Sequence, residues 1–123
     1  MAINDVLFEN HLTSDPDDYT ARVQPAGSAD LDDVIERMIE QGSTVVKADI
    51  LSVLEDYHSA IENMVLEGMN VNTPGANYSV SIKGIFDGQA DTYDPSRHQV
   101  SPSTNPGRRF RKAIEQRARP AKQ

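Results

Sequence analysis

Eight basic side chains and a single acid lie in residues 97–123 of this 123-residue chain. Residues 1–96 hold eighteen acids and four bases, so the formal net charge of −7 conceals two segments of opposite sign. Lysine and arginine concentrated in this way bind anions, phosphates above all. The opposing interpretation is a solvated helix whose bases balance the acidic body and its own dipole. The basic residues are Arg97, Arg108, Arg109, Arg111, Lys112, Arg117, Arg119 and Lys122.

The remaining residues give little indication of a catalytic, metal or cofactor site. There is no cysteine, and the three histidines share no ligand spacing, so we expect no metal site. The acidic segment Asp15–Asp18 lacks the glycine and distant glutamate of a calcium loop and indicates a capped turn. No Ser-His-Asp order, phosphate-binding loop or dinucleotide fingerprint occurs. We therefore expect no enzyme, no cofactor and no small-molecule substrate.

Hydrophobic periodicity places two helices in the first half of the chain, after a pair of short strands. Asp30 is the expected N-cap of the first helix, and Gly42 is its stop. Ser43 or Thr44 is expected to cap the second helix, which should end at Gly68. The regular apolar spacing in both segments makes these helices the clearest elements of the chain.

The apolar stripe of the second helix is too wide for one short neighbouring helix to cover. Apolar residues make up 37% of the chain and aromatic residues 6%, with no tryptophan, which is lean for a domain of this size. A second copy that shares the core would cover the stripe, so we expect a homodimer. The expected interface residues are Leu51, Leu54, Tyr57, Ile61 and Phe86.

The second half of the chain has the alternation of a small antiparallel sheet. A hairpin is predicted around Pro74–Asn77, and its second strand can extend to Phe86 with Gly84 at a bulge or close approach. A third strand should follow a polar loop. Pro106 is expected at or near the first position of a final basic helix, which frays from Arg117 onward.

The chain carries no apolar run of the ~18 residues that a membrane helix needs and no signal-peptide pattern. We therefore expect a cytoplasmic protein with no membrane contact. Its expected parts are an N-terminal strand extension and linker in residues 1–28, a main domain in 29–119 and a tail in 120–123.

Three segments in this order resemble the HU/IHF superfamily of bacterial histone-like DNA-binding proteins over residues 30–117. They are Leu66–Gly68, Ile82–Phe86 and Asn105–Ile114. The segment Glu9–Ala21 is similar to a divergent, Bacteroidetes-type branch with an N-terminal strand extension. The resemblance implies an α+β fold with two helices in the N-terminal half and a three-stranded antiparallel sheet with a shortened arm. A basic C-terminal helix and an extra N-terminal strand pair complete it.

The resemblance also implies a function: an intertwined homodimer of the nucleoid that binds duplex DNA with little sequence specificity. In this family two arms grip the minor groove, and a proline at each tip acts as a wedge between bases. Pro95 is the candidate wedge here, although a turn role is commoner for proline. The candidate DNA-binding residues are Arg97, Arg108, Arg109, Arg111, Lys112 and Arg117.

The arm region departs from the family pattern in length and in charge. Only 20 residues separate Phe86 from Gly107, and this segment contains three aspartates against one arginine. A short acidic arm is poorly suited to wrapping a minor groove. The alternative function is therefore an HU-fold protein-interaction or dimerisation module that has lost DNA binding.

Overall fold

The computed structural model describes residues 3–122, which form six strands and three helices. The described elements in chain order are β1 (Ile3–Glu9), β2 (Tyr19–Gln24), α1 (Leu31–Glu40), α2 (Lys47–Leu66), β3 (Val71–Asn72), β4 (Ala76–Lys83), β5 (Gln99–Pro106), α3 (Arg108–Arg117) and β6 (Pro120–Lys122). This is the expected α+β fold with its N-terminal strand pair, three-stranded sheet and basic C-terminal helix. No helix in the described residues is long and apolar enough to cross a membrane.

The chain divides into two compact units. Unit 1 consists of Met1–Val45 and Ala113–Gln123, and unit 2 consists of Val46–Lys112. The sequence placed boundaries at residues 28 and 119. These divide the chain into an extension, a main domain and a tail, which is a different kind of division from the two units, and they stay a prediction.

Unit 1 contains a three-stranded sheet in the order β2-β1-β6 and helix α1. β1 and β2 pair antiparallel, and the Arg22 guanidinium lies 4.5 Å from the centre of the Phe8 ring. β6 pairs parallel with β1 over three residues, from Ile3 opposite Pro120 to Asp5 opposite Lys122. α3 ends at Arg117, where fraying of the helix was expected, and residues 120–122 then form a strand that the sequence did not predict, because β1 supplies a pairing partner that is distant in sequence.

The start of α1 confirms the predicted cap. The Asp30 carboxylate accepts a hydrogen bond from the backbone N–H of Asp33, and the Asp33 carboxylate accepts one from that of Asp30, both at 3.0 Å. This reciprocal arrangement satisfies two backbone donors that a helix start otherwise leaves free. Ile35 on this helix is completely buried, and it is the most enclosed large side chain of the core.

Unit 2 holds α2 and the sheet β3-β4-β5, with all neighbouring strands antiparallel. α2 does not begin at a Ser43 or Thr44 cap, as the sequence predicted. Its N-cap is Val46, whose side chain makes no capping hydrogen bond, while the Ser43 hydroxyl accepts one from the N–H of Val45. The predicted cap is wrong because Ser43 serves the turn before the helix instead.

The β3–β4 hairpin is confirmed, and it is closed by Thr73, whose N–H and hydroxyl both donate to the carbonyl of Ala76. β4 ends at Lys83, short of Phe86, because Gly84 has a φ of +115°. A Cβ on Gly84 would lie 2.6 Å from the carbonyl oxygen of Arg97, so the expected close approach is present. Only glycine fits this position without strain.

Candidate nucleic-acid interface

The start of α3 is attached firmly to the sheet of unit 2. The N–H of Gly107 donates to the carbonyl of Gly75 at 3.0 Å, and the N–H of Phe110 donates to that of Pro74 at 3.1 Å. A Cβ on Gly107 would collide with the backbone of Thr73 and Pro74. The hairpin turn therefore fixes where α3 begins and in which direction it leaves the sheet.

The prediction for Pro106 is corrected by the same junction. Pro106 is the last residue of β5, Gly107 follows it, and α3 begins at Arg108. Pro106 thus lies two positions before the first helical residue, because the buried Gly107 is needed for the contact with the hairpin turn.

Four cations follow within five residues of this junction, and all four side chains are exposed. They are Arg108, Arg109, Arg111 and Lys112. The first turn of α3 contains no acidic residue. Within the described part of the chain none of the four makes an ion pair, and the one hydrogen bond is long, from Arg111 to the carbonyl of Pro106 at 3.4 Å.

The first two of these cations, Arg108 and Arg109, are electrostatically unfavourable for folding because they lie in the first turn of the helix. A helix N-terminus carries a partial positive charge, so a cation in the first turn costs roughly 0.3–1 kcal/mol where an anion would stabilise the helix. The interpretation that the bases balance their own helix dipole does not fit the start of α3. It fits Arg117 alone, which lies in the last turn. An external anion beside Arg108 and Arg109 would remove this cost.

The loop between β4 and β5, residues 84–98, occupies the place of an arm and is called the arm loop below. Its only arginine, Arg97, donates to both carboxylate oxygens of Asp91 at 2.9 Å and to Asp94 at 3.1 Å. Three of its donor groups are therefore directed at carboxylates of the same loop. Arg97 was predicted to face phosphate, and the structure instead surrounds it with intramolecular anions.

These contacts shift the pKa values of the loop. Hydrogen bonds from Arg97 and from the backbone N–H of Asp87 hold the pKa of Asp91 far below its usual value. The N–H and hydroxyl of Ser96, followed by Arg97, lower the pKa of Asp94. Both carboxylates stay ionised at neutral pH and keep Arg97 neutralised.

A stacked pair of rings forms the centre of the arm loop. The Phe86 and His98 rings are 3.7 Å apart and nearly parallel, and His98 is only 4% exposed. Its Nδ1 accepts from the N–H of Asp94 and its Nε2 donates to the carbonyl of Ile85, both at 2.9 Å. Phe86 was assigned to a dimer interface, and its ring has this intrachain partner. Sequence reasoning missed His98 because it considered only metal-ligand spacing.

Pro95 lies in an exposed turn of the arm loop. The carbonyl of Asp94 accepts from the N–H of Arg97 at 3.0 Å and from that of His98 at 2.7 Å, so Pro95 is the second residue of a tight turn. Proline favours this position because its φ is already fixed. The structure thus places Pro95 in a turn role, next to the ion-paired Arg97.

A family model described as the HU DNA-binding domain matches residues 3–118, which is nearly the whole chain. The protein belongs to the HU DNA-binding domain family. This is a family of DNA-binding domains and not of enzymes, and membership supports DNA as the partner of this HU-family chain. A search of curated proteins found no match.

A crystal structure from Bacteroides vulgatus, described as a candidate bacterial DNA-binding protein, is similar in fold. The TM-score is 0.81 at 17% sequence identity, and the match covers 99% of the HU-family chain and 49% of the other. The chain therefore spans about half the length of the solved protein it matches. At this level of identity the likeness establishes the fold alone.

The predicted interface residues of the HU-family chain lie at different depths. Leu51 is 38% and Tyr57 44% exposed, and Leu54 is half-buried. Ile61 is 7% exposed, so it lies in the core of its own unit and has little surface left for a partner. Beside it, α2, β4 and β5 enclose an open groove of about 680 Å³, lined in part by Val65, Leu66, Tyr78, Val80 and Pro102.

The residues that the structure describes contain no group of side chains arranged to bind a metal ion. No three histidine or acidic side chains within residues 3–122 are grouped so that they could hold an ion. Asp15, Asp17 and Asp18 form a capped turn, in which Asp15 accepts from the N–H of Asp17 and Asp18 accepts from the hydroxyl of Thr13.

Proposed function

We propose that this protein binds duplex DNA with little sequence specificity, as an architectural protein of the nucleoid in the cytoplasm. The single observation that carries the proposal is the set of four exposed cations at the start of α3, which lack carboxylate partners in the described chain. Arg108 and Arg109 lie in the first turn of α3, where they oppose the helix dipole, so an external anion relieves an electrostatic cost that folding alone leaves in place. DNA phosphates meet this requirement at regular spacing.

The mechanism we propose is neutralisation of phosphates without sequence readout. Arg108, Arg109, Arg111 and Lys112 contact phosphate oxygens, and condensed counterions are released into solution. Arg117 contributes from the far end of α3. Arg97 contributes little, because Asp91 and Asp94 already occupy its guanidinium. DNA is bent modestly at most, since Pro95 is held in a turn and not presented as a wedge.

A homodimer is the form that the exposed surface supports best. The chain exposes 10274 Å², whereas two independent compact halves of this mass would expose about 7,900 Å² together. Covering the excess on two protomers would bury about 4,700 Å², which lies within the range of obligate homodimers. The exposed apolar side chains of α2 supply such a surface, with Val53 at 65% and Leu66 at 83% exposure.

A gel-shift assay at 50 mM salt tests the DNA-binding proposal. Replacement of Arg108, Arg109, Arg111 and Lys112 by alanine should abolish retention of a 30-base-pair duplex. A control that removes Arg22, Arg37 and Lys47, three cations outside residues 97–123, should bind like the parent. Equal binding by the parent and the α3 variant would overturn the assignment.

The alternative function is a protein-interaction module on the same fold, and the neutralised arm loop favours it. The salt dependence of binding separates the two. Contact with several phosphates should weaken binding by about two to three orders of magnitude between 50 and 200 mM salt. No measurable duplex binding by the parent at 50 mM would favour the interaction module.

A further inference from the structure

The outer edge of β2 in unit 1 is open along its whole length and is called the β2 edge below. The sheet order β2-β1-β6 leaves this side of β2 without a neighbouring strand among the described residues. All six residues of β2 are exposed. An open strand edge pairs readily with another chain, so proteins protect such edges with prolines, lysines, bulges or very short strands.

The other sheet edges of the described chain have this protection, and the β2 edge does not. β5 contains Pro102 and Pro106, β3 has two residues, and β6 has three residues and begins with Pro120. β2 contains no proline, glycine or lysine, and it pairs with β1 over six residues without a bulge. Its one charged side chain, Arg22, lies over the ring of Phe8 on β1. Nothing in the sequence of β2 therefore opposes pairing with a further strand.

The hydrogen bond at the turn end of the hairpin determines which backbone groups of β2 face outward. The N–H of Asn10 donates to the carbonyl of Asp18 at 2.9 Å, and the β1–β2 register continues from this pair. Hydrogen-bonded and non-hydrogen-bonded pairs alternate along an antiparallel ladder, so every second residue of β2, counted from Thr20, bonds to β1. The backbone groups of the alternate residues point to the β2 edge. These residues are Tyr19, Ala21 and Val23.

The same three residues belong to an apolar strip on one face of the hairpin. Leu7 of β1 lies directly opposite Ala21, and Tyr19 and Val23 are its diagonal neighbours. Leu7, Tyr19 and Val23 are all exposed in spite of their size. The strip extends to the β2 edge, so a strand added there would continue it.

We propose that the β2 edge pairs with the β2 edge of a second copy of this chain, antiparallel and centred on Ala21. Tyr19 then lies opposite Val23 of the second copy, and Ala21 lies opposite its own counterpart. Each of these pairs exchanges both backbone hydrogen bonds, because their N–H and carbonyl groups face outward. An aromatic residue opposite a β-branched one is a favourable cross-strand pair. The two sheets become one continuous sheet, and the exposed surface of α2 takes no part in it.

Charge and ladder length favour this register over its neighbours. A centre at Arg22 would place two guanidinium groups directly opposite each other, which is destabilising. A centre at Thr20 would place Val23 opposite Asp17, outside the strand, and would shorten the ladder. With the centre at Ala21, each Arg22 lies opposite an uncharged Thr20. Identical strands are thus complementary to each other, as a symmetric dimer contact requires.

Single cysteines test the inference directly, because the chain has no cysteine of its own. Ala21→Cys places two thiols at a hydrogen-bonded pair whose Cα atoms are about 5.5 Å apart, within the range of a disulfide. Thr20→Cys is the matched control, since its Cα lies about 8 Å from its counterpart in this register. With oxidised glutathione and the full chain at 20 µM, Ala21→Cys should form a covalent dimer at least tenfold faster on a non-reducing gel.

Equal rates for the two variants would overturn the inference and would leave the β2 edge to a strand of a different protein. A mixture of Tyr19→Cys and Val23→Cys tests the register. The mixed covalent dimer should form, and neither variant alone should form a dimer at a comparable rate. Faster crosslinking of either variant with itself would overturn the proposed pairing.

Sedimentation equilibrium between 5 and 200 µM measures the association without a covalent bond. Ala21→Lys places two like charges opposite each other, so it should weaken one association step at least tenfold. Ser14→Lys, in the turn of the same hairpin, adds the same charge and should associate like the parent. Neither variant changes α2 or α3, so a homodimer through α2 and binding of duplex DNA should both persist. Equal association of the two lysine variants would overturn the inference, whether or not the chain binds DNA.

Discussion

The start of α3 and the arm loop present arginine at opposite ends of the β4–β5 sheet, and the two sets of arginines differ in electrostatic state. Arg108 and Arg109 are exposed and have no carboxylate partner in the described chain. Arg97 donates to two carboxylates of its own loop. In the family that the chain belongs to, the arm is expected to bring cations into contact with DNA. In this chain the cation of the arm loop is already paired with Asp91 and Asp94.

The difference shows that residue type alone does not identify a phosphate-binding arginine. What matters is whether a carboxylate lies within hydrogen-bonding distance before the ligand arrives. For Arg97 a phosphate must compete with a bidentate aspartate pair, which is among the stronger polar contacts in proteins. For Arg108 there is no such competitor. We therefore propose that α3 binds phosphate and that the arm loop has a structural role.

The largest expected effects come from the two glycines that allow close backbone approaches in these regions. Gly107→Ala and Gly84→Ala should each destabilise the fold by about 1–3 kcal/mol, because a Cβ collides with backbone at both positions. Gly107→Ala should also weaken duplex binding at least tenfold, since it displaces the start of α3. Gly84→Ala should leave binding within twofold.

Urea denaturation and anisotropy measure these two outcomes on the same samples. Gly27→Ala is the control, because a Cβ there meets nothing within 4 Å. If Gly84→Ala weakened binding as strongly as Gly107→Ala, the arm loop would share the DNA contact and the contrast between the two regions would fail.

A smaller effect is expected when the hydrogen bonds of the arm-loop histidine are removed. His98→Phe keeps a ring beside Phe86 but leaves the N–H of Asp94 and the carbonyl of Ile85 without their partner. The expected loss of stability is about 1–3 kcal/mol, from two hydrogen bonds that each contribute about 0.5–1.5 kcal/mol. Duplex binding should stay unchanged. His58→Phe, on the exposed surface of α2, should change stability by less than about 0.5 kcal/mol.

Release of Arg97 should have a modest effect on binding. Asp91→Asn with Asp94→Asn removes both counter-ions, so Arg97 becomes available to phosphate. Affinity should rise two- to fivefold, and the salt slope should steepen by about one. The control Asp15→Asn with Asp17→Asn removes the same charge from a turn of unit 1. An equal gain in the control would show that net charge, and not Arg97, causes the change.

The sequence predicted the fold correctly where an element depends on residues that are close together in the chain. The Asp30 cap, the hairpin at Pro74–Asn77 and the close approach at Gly84 all follow from neighbouring residue types. Two errors arose where a distant strand or a turn outweighed the local signal. β6 forms only because β1 provides a partner over a hundred residues earlier, and Ser43 is used in the turn before α2.

The candidate site could be predicted from the sequence only in part, because some of its contacts join residues that are far apart in the chain. The sign of the charge at α3 is visible in the sequence, but the state of each arginine depends on neighbours fixed by the fold. The Asp91–Arg97 pair spans six residues of a loop without regular structure, and the Phe86–His98 stack spans twelve. No periodic pattern in the sequence predicts either contact.

The smallest predicted effect is an acid response confined to the arm loop. The pKa values of Asp91 and Asp94 are lowered in the folded state, so both carboxylates stabilise the loop above the ordinary aspartate pKa of 3.8. This contribution is lost as the pH falls below that value toward the lowered folded-state pKa values, because protons then bind more readily to the unfolded loop. The start of α3 has no acid in its first turn and should not respond in this way.

Hydrogen exchange between pH 5 and pH 3, corrected for the intrinsic exchange rate, measures this response at single amides. The amides of Arg97 and His98 should lose protection as the pH falls, while those of Arg111 and Lys112 keep theirs. In the Asp91→Asn, Asp94→Asn variant the loop amides should show lower protection that no longer depends on pH. Parallel loss at α3 would mean that acid acts on the whole of unit 2. Loss in the loop alone would show that its carboxylates stabilise the loop locally and hold Arg97 there.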